Sequence, residues 1–196
     1  MPIGEHDGLI IVDVQNDFCP GGALGVPTGE EVAATLSRVA AHFAAHGALV
    51  FATQDWHPAG HASFKAQRGP WPEHCVQGTP GAEFHPALTL PVDAQVVRKG
   101  ADPARDAYSG FVDSDLEKRL RTAGVTRVFI GGLATDYCVL NTVVDAVDNG
   151  FETYVLLDAV GAVDVEPGDG QRALHLMAGS GAGLVEASAI LAEGQD

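Results

Sequence analysis

Cys138 closes the run Gly131-Gly132-Leu133-Ala134-Thr135-Asp136-Tyr137-Cys138, which reads as the end of an apolar strand, a glycine turn and the start of a helix. Sulfur in a first helical turn faces the positive end of the helix dipole and amides that have no intrahelical acceptor. A thiol with the ordinary pKa of about 8.5 is only slightly ionised at neutral pH, and a helix N-terminus or a neighbouring cation lowers that value. The position suits a nucleophile, with Thr135 as the expected N-cap and the amides of Ala134 and Cys138 as donors to an oxyanion. By itself a free cysteine is more often small core filler, so its partners decide the reading.

Two candidate partners come from other strand ends. Asp13 follows the wholly apolar stretch before it, where a carboxylate needs a partner or an exit to solvent. Lys99, after Val96-Val97-Arg98, is the matching cation. A second constellation is Asp55-Trp56-His57-Pro58-Ala59-Gly60-His61, with His74 thirteen residues further on. One carboxylate and three imidazoles are the donors a divalent transition metal takes, and the set accepts zinc first, with iron or manganese as alternatives. His6, His42, His46, His85 and His175 lie outside this cluster and read as solvated or hydrogen-bonded side chains.

These groups must be positioned by the elements around them. Short apolar, β-branched runs at residues 9–14, 48–53, 95–97, 127–130, 153–157 and 183–185 predict buried strands. Helical periodicity is clearest over residues 28–47, where Val32, Leu36, Val39 and Phe43 form a stripe. Thr28 with Glu31 suggests a capping box, and Gly47 a left-handed stop. Further helices are expected over residues 113–123, 136–149 and 170–177. Strands alternating with helices imply a parallel sheet covered on both faces, in which ligands bind beyond the carboxyl ends of the strands. Residues 56–90 hold no sustained period and read as a long functional loop, so the metal-binding loop runs from about residue 55 to 90. No repeat or linker divides residues 1–196, and one domain is expected.

Composition limits the function classes. With 26 acidic and 11 basic residues among 196, the formal charge is −15, which disfavours nucleic acid and anionic membrane partners and leaves a small molecule as the expected ligand. Three scattered cysteines argue against a disulfide framework, and the opening MPIGEHDGLII lacks a basic and then long apolar leader. The expectation is a cytoplasmic protein. Its oligomeric state, homo-oligomer included, stays open.

Four stretches together resemble one family: IIVDVQNDFCPGGAL; TQDWHPAGHASF; WPEHCVQGTPGAEFHP with VVRKG and DAYSGF; and GGLATDYCV. They look like the bacterial nicotinamidase/pyrazinamidase branch of the isochorismatase-like cysteine hydrolases. The resemblance implies a three-layer α/β/α fold on a six-stranded, mainly parallel sheet. It implies hydrolysis of nicotinamide, and of pyrazinamide, through a thioester on Cys138, with Asp13 and Lys99 completing a triad. A metal would be held by Asp55, His57, His61 and His74, and a cis peptide would join Leu133 to Ala134. Phe18, Trp71, Tyr108, Leu133 and Tyr137 would line the ring pocket. The rival readings are a metal-water hydrolase with a structural Cys138, a hydrolase of another small amide or of isochorismate, and a non-catalytic binder on the same fold.

Overall fold

The structure is a computed structural model that describes residues 1–192. Strand β1 (Asp7–Val12) is buried along its whole length. The element order continues through α1 (Gly29–Ala45), β2 (Leu49–Asp55), β3 (Gln95–Lys99), α2 (Leu116–Thr122), β4 (Arg127–Leu133), α3 (Leu140–Asp148), β5 (Glu152–Gly161), α4 (Asp169–Ser180), β6 (Gly183–Val185) and α5 (Ala187–Ala192). The six strands form one sheet in the order β3-β2-β1-β4-β5-β6, and every pairing is parallel.

Alternation along β1 explains the layers. Leu9 and Ile11 point to one face, where they meet Leu36, Val39 and Phe43 of α1 and Ile190 of α5. Ile10 and Val12 point to the other, against Leu116 and Leu120 of α2, Val143 of α3 and Met177 of α4. Both faces are therefore covered by helices, which is why the central strands carry unbroken apolar runs rather than alternating ones. The sheet winds outward in both directions from the β1–β4 pair. That pair is the topological switch point, and a crevice opens beyond its carboxyl end.

Several boundaries differ from the sequence reading for identifiable reasons. Strands β2 to β5 extend further than the apolar runs, because Asp55, Lys99 and Gly132 still pair in the ladder. Thr28 precedes α1 but makes no side-chain cap; its hydroxyl packs against Gly161 instead, where an added Cβ would stand 2.5 Å from it. The helix expected over residues 136–149 opens as a π-turn at Thr135–Val139 before α3 begins. Ala134, not Thr135, is its cap, and the Ala134 carbonyl accepts from the Tyr137 and Val139 amides at 3.1 Å each. Helix α5 lies beyond the periodic stretches of the sequence, and its start is held by Asp158, whose carboxylate accepts the Ala187 and Ser188 amides at 2.6 and 3.2 Å.

The approach of β4 to β1 depends on Gly132, which has φ +131°. A Cβ at that position would lie 2.1 Å from the Val12 carbonyl oxygen. Gly132→Ala should cost at least ~3 kcal/mol, because the obstacle is backbone in the centre of the sheet. A thermal melt checks this, and a variant that melts with the parent would contradict it.

Candidate active site

The Lys99 ammonium is the centre of the site. Lys99 ends β3, is 1% exposed, and its Nζ lies 2.8 Å from Asp13 Oδ2 and 2.5 Å from Asp55 Oδ1. It also donates to the Ala107 carbonyl at 3.0 Å and stands 3.6 Å from Cys138 Sγ. Four segments from distant parts of the chain thus converge on one buried cation. Asp13 takes a left-handed backbone at φ +48°, a conformation that costs a non-glycine residue about 1–3 kcal/mol unless its surroundings hold it. Thr53 is the holder: its hydroxyl donates to Asp13 Oδ1 at 2.6 Å and accepts from the Asp13 amide at 3.2 Å. Gln15 does the same for Asp55, pairing with its backbone amide and carbonyl at 2.8 and 2.9 Å. Neither Thr53 nor Gln15 was singled out in the sequence, since a polar residue inside a strand or turn carries no signal of which neighbour it will bond.

Electrostatics assign different states to the three acids. Burial pushes the Asp13 carboxyl up, against the pull of Lys99, and the net shift is upward. Asp55 also suffers burial, yet Lys99 and His57 overcome it and hold its carboxyl well below the usual range. The Cys138 thiol is raised far above its ordinary value, by burial first, with Lys99 opposing and both aspartates adding to the rise. The sequence reading expected the helix start to lower it. Desolvation of the buried Cys138 side chain beside two carboxylates outweighs a dipole whose first turn is itself irregular. The resting sulfur is therefore a thiol, and its chemistry needs a base.

Beside this cluster stand His57 and His74. One ligand atom from each of Asp55, His57 and His74 can be chosen so that all three lie within 4.8 Å of one another, and all three residues are buried. His57 Nδ1 donates to the Gly100 carbonyl at 2.9 Å and His74 Nδ1 to the Pro72 carbonyl at 2.8 Å. Since a carbonyl only accepts, both rings carry a proton on Nδ1, which leaves Nε2 as the nitrogen a metal would take in place of a proton. His57 Nε2 has no hydrogen-bond partner and faces Asp55 Oδ2 at 3.3 Å. An orphaned buried nitrogen facing a carboxylate is the geometry a divalent cation would complete. Gly100 is obligatory here: it has φ +68°, and a Cβ would sit 2.5 Å from His57 Cε1.

A cavity opens over these groups. Its floor is Asp55, His74 and Cys138, and its walls include Phe18, Trp71, Tyr108 and Tyr137. Trp71 Nε1 donates to the Tyr108 hydroxyl at 3.0 Å, and the Trp71 ring meets Tyr137 edge to face at 5.0 Å. Aromatic walls above a polar floor suit a flat ring bearing one polar substituent.

Comparison with known proteins agrees with this geometry. The isochorismatase domain family matches residues 7–189. The chain belongs to the isochorismatase family. Its relatives include a nicotinamidase of Escherichia coli, 39% identical over 90% of this chain and 92% of that protein. A nicotinamidase/pyrazinamidase of Mycobacterium tuberculosis is 45% identical over 81% of this chain and 88% of its own length. Among solved structures, a pyrazinamidase of Pyrococcus horikoshii in complex with zinc superposes with a TM-score of 0.89 and 49% identity, covering 92% of this chain and 99% of that one.

On this isochorismatase-family frame, Asp13, Lys99 and Cys138 meet, as do Asp55, His57 and His74. His61 stands apart from the trio. Its ring stacks on His57 at 4.2 Å, but Nδ1 is bonded to Ser63 at 2.8 Å and Nε2 to the Arg105 carbonyl at 3.0 Å. Leu133 does not line the cavity either. It is fully buried in the core beneath, because the last residue of β4 points its side chain to the α1 face, next to Gly161. The peptide joining it to Ala134 is cis, and Ala134 itself reaches the cavity. Leu24, Asp106 and Val163 also line it; all three come from loops whose approach no local pattern reveals.

Removing Lys99 leaves two buried carboxylates facing each other. Lys99→Met should lower stability at pH 7 by ~3–5 kcal/mol. Asp55 has its carboxyl depressed in the parent, so the stability it contributes is present above the ordinary carboxyl pKa and is lost as pH falls through its folded value. In the variant the orphaned acids instead take up protons at higher pH. The difference between the two proteins should therefore narrow between pH 7 and about 4.5; chemical denaturation giving equal gaps at both would sink this account.

Proposed function

We propose that the chain hydrolyses nicotinamide to nicotinate and ammonia, and accepts pyrazinamide, using Cys138 as nucleophile. The carrying observation is that Asp13 and Lys99 converge beneath Cys138, and Cys138 forms part of the floor of an aromatic cavity. Activities named for the bacterial relatives point to the same substrates.

The steps follow from the groups present. Asp13, with its affinity for a proton raised by burial, removes the thiol proton as sulfur attacks the carboxamide carbon. Lys99 remains an ammonium, since the two aspartates outweigh its desolvation, and it stabilises the thiolate 3.6 Å away. The Ala134 and Cys138 amides receive the developing oxyanion. Asp13 then delivers the proton to the amide nitrogen, ammonia leaves, and a thioester remains. Water adds to the thioester with Asp13 again as base, giving nicotinate and the free thiol. Phe18, Trp71, Tyr108 and Tyr137 hold the ring flat and keep bulk water out.

Asp55, His57 and His74 fit a divalent metal, zinc first and iron or manganese as alternatives, and His61, stacked on His57, would be the further ligand. Such an ion would supply a Lewis acid for the pyridine ring nitrogen. Among the described residues no helix is long and apolar enough to cross a membrane. With Cys19, Cys75 and Cys138 all free, we assign the chain to the cytoplasm as one catalytic domain.

Cys138→Ala should lower ammonia release from nicotinamide by roughly 10³-fold or more, with the melting temperature and metal content kept. Activity within tenfold of the parent would instead favour a metal-bound water as nucleophile. Separately, His74→Ala should reduce the metal retained by the purified protein, read by elemental analysis. Full retention would remove His74 from the ligand set.

A further inference from the structure

The cavity holds one charged side chain that the steps above do not use. Asp106 lines it at an exposed position. Its carboxylate accepts the Ala107 amide at 3.0 Å and lies against Tyr108. Burial, and then the Asp106 charge acting against the Trp71 bond, push the Tyr108 hydroxyl up to about 12. The phenol is therefore a protonated donor facing a carboxylate. Arg105, the adjacent cation in sequence, is turned away to Asp113, 3.3 Å from its Oδ2. Lys99, buried beneath the floor, is already matched by Asp13 and Asp55. The surrounding walls, Phe18, Leu24, Trp71, Tyr137 and Val163, are apolar or aromatic, so they supply no counter-charge at this rim.

Hydrolysis of a carboxamide changes the charge of what the cavity holds. The substrate is neutral; the product is a carboxylate, with the ammonia departing separately. A fixed negative charge at the rim acts weakly on the first and repels the second, which is a difference in binding that a neutral wall cannot supply. We propose that Asp106 is a charge-selecting residue, which favours neutral ring carboxamides over ring carboxylates and so speeds departure of the acid product. This inference rests on the nicotinamide reading and adds a determinant of specificity to it.

The test compares the metal-loaded full-length parent with Asp106→Asn, which keeps the side-chain size and an oxygen for Ala107 and Tyr108 while removing the charge. Calorimetry gives the dissociation constants of nicotinate and of 3-pyridinemethanol, a neutral ring ligand without a scissile amide. The ratio of the nicotinate constant to the alcohol constant should fall about fivefold in Asp106→Asn, and the effect should shrink at high ionic strength. Asp93→Asn serves as control, since Asp93 is an exposed acid before β3, at the opposite end of the sheet; its ratio should match the parent. An unchanged ratio in Asp106→Asn, or tighter binding of both ligands alike, overturns the proposal, the latter by making the rim a matter of shape. A fall of the same size in Asp93→Asn overturns it as well, since the overall charge of −15 would then be the cause. Ammonia release from nicotinamide by the parent is measured alongside. Its absence removes the functional reading, whereas an unchanged ratio in an active enzyme removes only the role of Asp106.

Discussion

A single buried ammonium between two buried carboxylates sets the terms for everything around it. Lys99 cannot be withdrawn from water without both Asp13 and Asp55, and neither aspartate can be buried without Lys99. The cluster holds one more negative than positive group, and that excess has two outlets. One is the proton that Asp13 takes readily because burial raises its carboxyl. The other is the cation-seeking arrangement of Asp55 with His57 and His74. Lys99 pairs with both aspartates, so the nucleophile's base and the metal ligands share one ion pair, while Gln15 secures Asp55 and Thr53 secures Asp13.

The parallel sheet explains why this cluster forms where it does. Strands β1, β2 and β3 deliver Asp13, Asp55 and Lys99 at their carboxyl ends, and β4 delivers the turn to Cys138. With β1 and β4 at the switch point, the helices that follow them pack on opposite faces and leave the crevice open. The long loop after β2 then closes over the crevice, bringing His74 to the floor and Trp71 to a wall. Its own backbone is secured by isolated bridges, His57 to Val76 and Phe64 to Trp71, and by two single turns of 3-10 helix at Lys65–Gln67 and Pro80–Ala82.

Desolvation acts on all three acids, and the charges and hydrogen bonds of Lys99 and His57 set Asp55 apart from the other two. The same burial that suppresses ionisation of Cys138 raises the proton affinity of Asp13, so the thiol and its base are adjusted together. A sulfur already ionised would not need Asp13; a sulfur buried without Asp13 would be inert. At the outer rim the opposite condition holds. Asp106 stays exposed, where it meets the ligand at the mouth of the cavity rather than the reacting atoms.

The sequence by itself determined the alternation of elements, the parallel sheet and the identity of most reactive groups. Apolar runs of strand length between amphipathic helices admit few other folds, and Asp13, Asp55, His57, Lys99 and Cys138 fall at strand ends, where local pattern locates them. Tertiary structure alone decided which of these groups share a partner. Lys99 serves Asp55 as well as Asp13, His61 is bonded to Ser63 and Arg105 instead of joining His57 and His74, and Leu133 turns into the core while Asp106 and Val163 reach the cavity. The physical reason is that side-chain orientation, burial and the direction of a pKa shift depend on neighbours from remote segments. The thiol of Cys138 shows it best: its place at a helix start suggests a low pKa, and only the packing around it reveals a high one.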